Sequence, residues 1–363
     1  MRRSLVCAAL VAAVASAFAQ DAKPADKPAA ATGGDGLHPR VKFETSLGDF
    51  ILELDAEKAP ITVDNFVQYV EAGHYNGVIF HRVMPNFMIQ GGGYTPDFQE
   101  KKEGLRAPIK NEWQNGLKNQ KGTIAMARTS MPDSATAQFF INVVDNGMLD
   151  QPRGGAAYCV FGKVVDGMDT IEKIKNTPIK QSRMNPSETS EPETPPTIKS
   201  ATMLTKFDRE SAMAKLKAAA AAAREAWMKS NADAIKKLEE ESGKKVEWTE
   251  SGLGSVVLKE GTGDAKPTEN DIASCHYTGW LTDGKKFDSS VDRGQPLEFP
   301  INPMKRQGMP VIKGWTQGVA LMKVGEKRKF IIPADLAYGK QGRPPVIPGD
   351  STLIFEIELL AIK

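Results

Sequence analysis

Cysteine is nearly missing from this 363-residue chain, which has only Cys7, Cys159 and Cys275. Three cysteines cannot build a disulfide framework, and the latter two read as buried free thiols. Histidine is as sparse, with His38, His74, His81 and His276. No HExxH, CxxC or EF-hand spacing joins them to other ligands, so neither a metal nor a cofactor is expected. Walker A and GxSxG motifs are absent too, which removes phosphate-loop and serine-elbow chemistry. An excess of one charge is also lacking: 47 Lys and Arg against 45 Asp and Glu leave a net +2. A nucleic-acid partner would need clustered basic residues, so none is expected. No apolar run reaches the roughly 20 residues that span a bilayer. What remains is a balanced globular composition, 40% hydrophobic and 25% charged, long enough for two domains or three.

The first 19 residues, MRRSLVCAALVAAVASAFA, join Arg2 and Arg3 to a short apolar run and an Ala17-Phe18-Ala19 cleavage pattern. This reads as a secretory signal cleaved near Ala19, which predicts a periplasmic or secreted protein. Residues 20–38, rich in Ala, Pro, Gly and charge, read as a flexible tether.

From Val41 the pattern alternates. VKFET and FILEL flank Leu47-Gly48-Asp49 as a hairpin. Residues 61–72 carry Val63, Phe66, Val67 and Val70 at helical spacing, with Pro60 ahead and Gly73 behind. Short strands follow at 78–83, 122–127, 138–144 and 158–165, and 197–205 reads as a closing strand; many short strands with one or two helices predict a barrel. His81 is expected to be structural, and Gly91-Gly92-Gly93 a turn rather than a phosphate cradle.

The run from Phe80 to Gly92, FHRVMPNFMIQGG, then Ala135–Asn142 (ATAQFFIN) and Tyr158–Lys163 (YCVFGK), resembles the cyclophilins, a family of peptidyl-prolyl cis-trans isomerases. The resemblance covers about residues 39–206. It implies a catalytic Arg82, an apolar slot of Phe87, Met88, Phe140 and Leu149 for the proline ring, and Gln90 positioning the substrate backbone. Ala127, Gln138, Met148 and Tyr158 complete the implied substrate-binding set.

The chemistry suits that assignment. Amide resonance raises the rotation barrier to about 18–20 kcal/mol, and X–Pro isomers interconvert in tens to hundreds of seconds. A catalyst needs no nucleophile; it must favour the twisted amide. An always-charged guanidinium can donate to the prolyl nitrogen as that atom gains a lone pair. Met148, Tyr158 and Arg128 depart from the best-known eukaryotic pattern of Trp, His and Asn and are similar to the bacterial branch, which implies weak cyclosporin binding.

Residues 181–196, rich in Pro, Ser and Glu, read as a loop. Residues 207–243 then read as one helix about 50 Å long, with six alanines at 218–223 and no proline. Leu216, Ala220, Ala223, Trp227, Ala234 and Leu238 form a weak stripe near heptad spacing, so the segment is expected to act as a rigid spacer, to pair two chains as a homodimer or to contact a client polypeptide.

The last third changes texture again. Residues 351–362 alternate Leu353, Phe355, Ile357 and Leu359; 327–332 is another strand, and one short helix is expected near 315–322. His276-Tyr277-Thr278-Gly279, Asp283–Ser290, Val311–Trp315, Ala337-Tyr338-Gly339 and Ile347-Pro348, in that order, resemble the FK506-binding proteins, a second class of prolyl isomerase. The resemblance covers about residues 246–363. It implies a pocket of Tyr277, Phe287, Val311, Ile312, Trp315, Val346, Ile347 and Phe355, with Tyr338 and the Ile312 N–H bonding carbonyls and Asp288 orienting a polar group. It implies FK506-type macrolides as ligands. An aromatic, desolvated pocket would favour the less polar twisted amide. Leu297, Pro310 and Arg343 depart from the family's Phe, acidic residue and His, and 299–310 is longer than in its minimal member.

The expected fold is mainly β with α: a cyclophilin-like barrel (39–206), a helical linker (207–245) and an antiparallel sheet wrapped on a short helix (246–363). The expected function is isomerisation of X–Pro bonds in unfolded or nascent exported polypeptides, with a holdase-type chaperone as the alternative.

Overall fold

The computed structural model describes residues 36–152, 155–306 and 311–363. The expected signal and nearly all of the 20–38 tether lie outside them. The chain divides after Leu216 into two compact units.

The first unit opens with the expected hairpin, β1 (Arg40–Thr45) and β2 (Gly48–Leu54), in a register that sets Phe43 opposite Phe50. Alternate residues are buried along both strands, so one face joins the core. Helix α1 (Pro60–Glu71) starts on proline, and no side chain at its N-cap serves its first amides. Glu112, from a distant loop, takes that role: its carboxylate accepts from the Ile61 and Thr62 amides and the Thr62 hydroxyl at 3.2, 2.8 and 2.7 Å. An acidic group there also suits the positive end of the helix dipole. Gly73, at φ +67°, takes the left-handed conformation that follows many helix ends.

Four further strands follow: β3 (Phe80–Met84), β4 (Met88–Gly91), β5 (Thr123–Met126) and β6 (Phe139–Asn142). Then come β7 (Val160–Asp166), α2 (Met168–Lys175), the pair β8 (Ile179–Gln181) and β9 (Thr189–Pro192), and β10 (Ile198–Met203). Eight of these strands make one antiparallel sheet in the order β10-β1-β2-β7-β5-β6-β4-β3. The sheet curls until its edges meet at one point, an antiparallel bridge between Ile79 and Thr197, reinforced by Ile198 N–H donating to Val78 O at 2.8 Å. The core inside is ring-rich. Phe66 meets Phe139 edge-on at 5.7 Å and Phe161 at 5.1 Å, and Phe43 stacks on Phe50 at 5.0 Å. Each fully buried ring contributes about 1.5–3 kcal/mol from area alone.

The sequence reading is corrected at 181–196. This stretch is not a plain loop but the turn and second strand of the β8–β9 hairpin, which packs on β3. Charge builds it rather than hydrophobic alternation. Glu191 is buried and clamps Arg183, accepting from its backbone N–H at 3.0 Å and its Nη2 at 2.7 Å. The Arg183 guanidinium lies 4.1 Å from the centre of the Phe98 ring.

The predicted single helix over 207–243 is also corrected. It is two helices, α3 (Arg209–Ser230) and α4 (Ala232–Ser242). At the break, the Asn231 side-chain amide donates back to Trp227 O at 2.9 Å, the local competition for backbone acceptors that disfavours Asn inside helices. The expected stripe does not stay one surface: Ala220 and Ala223 are exposed, as is the whole of 217–226.

Within the second unit, Trp227, Ala234, Ile235 and Leu238 instead pack with Val246, Val256 and Ile331 as a small core of their own. The Trp227 indole donates to Thr352 Oγ1 at 3.0 Å and stands edge-on to Trp248. The strands of this unit are β11 (Glu247–Trp248), β12 (Gly254–Lys259), β13 (Ile272–Leu281), β14 (Lys286–Ser289) and β15 (Leu297–Pro300). After helix α5 (Lys313–Val319) come β16 (Lys327–Ile332) and β17 (Leu353–Ile362). The sheet runs β11-β12-β16-β17-β13-β14, with β15 also paired to β13. Two glycines let α5 lie close upon it. A Cβ at Gly314 would stand 2.5 Å from Ile332, and one at Gly318 2.8 Å from Phe330.

Candidate active sites

In the first unit, strand register assembles the site. Arg82 on β3 lies opposite Gln90 on β4, and Gln90 lies opposite Phe140 on β6, so one row crosses three strands on one face. Phe139 and Ile141 point from β6 into the main core, whereas Phe140 joins Met88, Ala125 and Val160 in a separate buried cluster. Phe87, Leu149, Ala127 and Tyr158 border that cluster, and Tyr158 meets Phe140 edge-on at 5.6 Å. Sequence reasoning thus named most of this hollow but missed Ala125, Val160, Leu117 and Met84, whose small or ordinary apolar side chains carry no distinguishing signal. Met148 is 57% exposed, on the short 3₁₀ turn at Gly147–Asp150, beside the hollow rather than in it. Arg128 lies over the Tyr158 ring, 4.6 Å from its centre.

Arg82 stands at the polar end of the row. Gln90 donates to Gln138 Oε1 at 3.0 Å and turns its own carbonyl oxygen to Arg82 Nη1 at 3.4 Å. The other edge of the guanidinium meets a residue that sequence reasoning did not name. Glu188, from the β8–β9 hairpin, accepts from Nε at 2.8 Å and from Nη2 at 2.9 Å. The Arg82 bond holds the Glu188 carboxyl below the usual glutamate range. Three of the five guanidinium N–H groups are therefore engaged, and two remain for a ligand. His81, next in the chain, points the other way and is buried; desolvation pushes it down to about 3, so it is neutral at ordinary pH.

The second unit builds its site from rings around a cavity of about 470 Å³. Trp315, on the first turn of α5, is its floor and is only 4% exposed. Tyr277 and Phe355 stand edge-on to it at 4.8 and 5.3 Å, and Phe287 stands edge-on to Phe355 at 5.4 Å. Val311, Ile312, Tyr338, Val346 and Ile347 close the walls, so every pocket residue named from sequence lines one space. Leu297 and Arg343, the departures from the family pattern, line it as well, while Pro310 lies outside the described residues. Ile312 is the N-cap of α5, so its amide belongs to no helical ladder.

One wall is polar. Tyr277 donates its hydroxyl proton to Asp288 Oδ2 at 2.5 Å, and Arg293 donates to the Tyr277 oxygen at 2.9 Å and to Asp288. Burial raises the Tyr277 hydroxyl to about 12, and the Asp288 bond adds to the effect. Burial alone would raise Asp288, but the bonds from Tyr277 and Arg293 outweigh it and leave the carboxyl below its usual range. Arg293 was missed from sequence because it follows the motif on a turn.

A second unannounced residue, Arg306, is buried in the long connection before α5. It donates to Pro300 O at 2.8 Å, Ile301 O at 2.7 Å and Thr316 Oγ1 at 2.7 Å, tying that connection to the helix under the cavity. Both thiols of the described residues, Cys159 and Cys275, are free and buried, and burial pushes each to about 12. Among the described residues no cluster of His, Cys, Asp or Glu could hold a metal, and no helix is long and apolar enough to cross a membrane.

The description of the cyclophilin type peptidyl-prolyl cis-trans isomerase/CLD family matches residues 40–203, and that of the FKBP-type peptidyl-prolyl cis-trans isomerase family matches 263–360. The first stretch is similar to a peptidyl-prolyl cis-trans isomerase of Acinetobacter baylyi, 58% identical over 38% of this chain and 72% of that protein. It is also similar to peptidyl-prolyl cis-trans isomerase B of Escherichia coli K12, 53% identical over 40% of this chain and 89% of that protein. The second stretch is similar to FK506-binding protein 1A of Aspergillus fumigatus, 50% identical over 31% of this chain and 96% of that protein.

Proposed function

Since this chain belongs to both the cyclophilin-type and the FKBP-type peptidyl-prolyl cis-trans isomerases, we propose that Arg82 in the first unit and the aromatic cavity in the second turn over X–Pro bonds by two different physical means. The boundaries that go with this reading are an isomerase domain at 39–206, a helical linker at 207–245 and a second isomerase domain at 246–363.

The observation that carries the first site is the row of Arg82, Gln90 and Phe140 beside a separate apolar hollow. The proline ring would enter the hollow of Phe87, Met88, Phe140 and Leu149. One of the two unengaged N–H groups of Arg82 would then donate to the prolyl nitrogen. In the planar amide that nitrogen's lone pair is delocalised and accepts poorly; as the bond twists the pair localises and the hydrogen bond strengthens, so the donor favours the twisted state over the ground state. Gln90, held by Gln138, would position the substrate backbone.

In the second site the ring would rest on Trp315, with Ile312 N–H and Tyr338 bonding substrate carbonyls. Few donors reach into the apolar part, and water is displaced. A planar amide, whose charge-separated resonance needs polar surroundings, is then favoured less and the twisted one relatively more. Asp288 keeps Tyr277 fixed as a wall. FK506-type macrolides would occupy this cavity, and cyclosporin would bind the first site weakly because Met148 stands where the best-known cyclophilin pattern has the Trp that contributes to that binding.

The substrates are proline-containing polypeptides. Residues 1–19 support an exported protein working outside the cytoplasm on newly delivered chains, which sequencing the mature N-terminus tests. Pairing of two chains through 207–243 rests on the exposed alanines of α3, and sedimentation of the full chain against its Ala220→Glu, Ala223→Glu form tests it. The central test is a proline-limited refolding assay. In a full chain with the second site disabled by Phe287→Ala and Tyr338→Phe, adding Arg82→Ala should remove the remaining acceleration. Turnover that survives it would overturn the first-site assignment.

A further inference from the structure

Arg82 is held by more than the strand it sits on. Its guanidinium forms a two-pronged pair with Glu188, Nε to one carboxylate oxygen at 2.8 Å and Nη2 to the other at 2.9 Å. This parallel geometry fixes the plane of the group as well as its place. Nothing about a solvent-facing ion pair requires such support, yet the hairpin presents Glu188 from every side. Ser190 donates to Glu188 Oε2 at 3.2 Å. The Glu188 backbone N–H donates to Asn185 O, and its carbonyl accepts from Ser182 N–H, each at 2.9 Å. Ser182 in turn accepts from the Met184 and Asn185 amides, both at 3.2 Å. Below the tip, buried Glu191 clamps Arg183. These bonds brace the platform, and Glu188 is the residue through which it holds Arg82.

We propose that Glu188 is a positioning residue of the first site: it locks the Arg82 guanidinium in the orientation that aims its two unengaged N–H groups at the substrate. The proposal deepens the reading of Arg82 as the donor to the prolyl nitrogen and rests on it. A free arginine side chain samples many rotamers, and a donor that must be aligned only as the amide twists gains most from being aligned beforehand. Glu188 touches the edge of the guanidinium turned away from Gln90, so it occupies donors the substrate does not need. The opposing possibility is a latch, in which the carboxylate competes with substrate and weakens Arg82. The two make opposite demands. Positioning predicts a loss of turnover when Glu188 is removed, whereas a latch predicts a gain.

The test uses the full chain carrying Phe287→Ala and Tyr338→Phe, with the same background plus Arg82→Ala supplying the residual rate to subtract. Steady-state isomerisation of a short proline peptide is read as kcat and KM separately. Glu188→Ala should lower kcat on the order of tenfold with KM within about twofold, because orientation matters most in the transition state. Glu188→Gln, which has the same shape and keeps one acceptor, should recover part of the lost kcat. Melting of each variant separates this from collapse of the hairpin; should Glu188→Ala unfold it, the isosteric Glu188→Gln carries the measurement alone and must still lower kcat. An unchanged or raised kcat in both variants, or an effect confined to KM, overturns the proposal. If Arg82→Ala itself removes no activity, the reading of Arg82 falls instead.

Discussion

The two units handle the same bond with opposite relations between site and core. In the first, the proposed site residues form a layer of their own: Arg82 is partly exposed at the edge of a small hollow, and the sheet separates that hollow from the ring-filled core behind it. In the second, site and core are one set of residues: Trp315, Tyr277 and Phe355 line the cavity and also belong to the main buried cluster. A site laid on a finished sheet can be altered without unfolding it, whereas a site that is a hollow in the core cannot. This difference follows from the chemistry. A hydrogen-bond donor works from a surface, but a desolvated pocket needs apolar rings around the group it holds and takes them from the core.

The comparison is broken most sharply at Trp315. Replacing it with alanine should destabilise the second unit by about 3–5 kcal/mol, since a buried ring is lost and its hollow only partly refills. Activity and folding should fall together, and calorimetry of the full chain should show one unit melting early. A second unit that kept its melting temperature would refute the identity of site and core. Arg82→Ala should behave in the contrary way. The first-site barrier should rise by about 3 kcal/mol, slowing turnover on the order of 100-fold, while the melting profile stays unchanged; a parallel loss of stability would mean the arginine is structural after all.

Inhibitors sharpen the same contrast. An FK506-type macrolide should abolish the activity left in the Arg82→Ala chain and raise the melting temperature of the second unit, because a ligand bound only to the folded form stabilises it. Cyclosporin should do neither for the first unit at comparable concentration. Calorimetric titration with each drug reads this directly, and tight cyclosporin binding would contradict the part assigned to Met148.

The smallest expected effect is on acidity. Glu191 is lowered to about 2, first by its bond from Arg183. A carboxyl lowered on folding contributes stability above its ordinary value and loses that contribution as pH falls towards the folded one. The β8–β9 amides, corrected for intrinsic rates, should therefore exchange equally slowly at pH 7 and pH 5 and faster as the pH approaches 2. Loss of protection already at pH 5 would show that the clamp does not stiffen the hairpin.

Much of this architecture is legible in the sequence where hydrophobic period and turn chemistry agree. The β1–β2 hairpin, α1, β16 and β17 lie where alternation or helical spacing puts them, to within a residue or two. The pocket of the second unit is legible because its rings stand in ordered motifs. The β8–β9 hairpin is not, because Thr189–Pro192 (TSEP) shows no apolar alternation and its stability comes from an Arg183–Glu191 pair eight residues apart. Glu188 stayed hidden for the same reason: a glutamate in a Ser- and Pro-rich stretch looks like solvated surface, and only the packing of that hairpin on β3 brings it to Arg82. The break at Asn231 was there to be read, since Ser230-Asn231 followed by Asp233 is the kind of sequence that starts a helix.

The packing of Trp227 on Trp248 has an optical consequence. The chain has five tryptophans, and four of them, Trp227, Trp248, Trp280 and Trp315, lie in the second unit, leaving Trp113 alone in the first. Intrinsic fluorescence of the whole protein therefore reports mostly on one half of it. A Trp113→Phe chain would be dark for the first unit, and the Trp227→Phe, Trp248→Phe, Trp280→Phe, Trp315→Phe chain would leave Trp113 as its only emitter. With Trp227 and Trp248 kept as a single edge-on pair, their emission would follow the undocking of the end of α3 from β11 separately from the opening of the cavity over Trp315, so that the order in which the second unit comes apart can be watched without any added label.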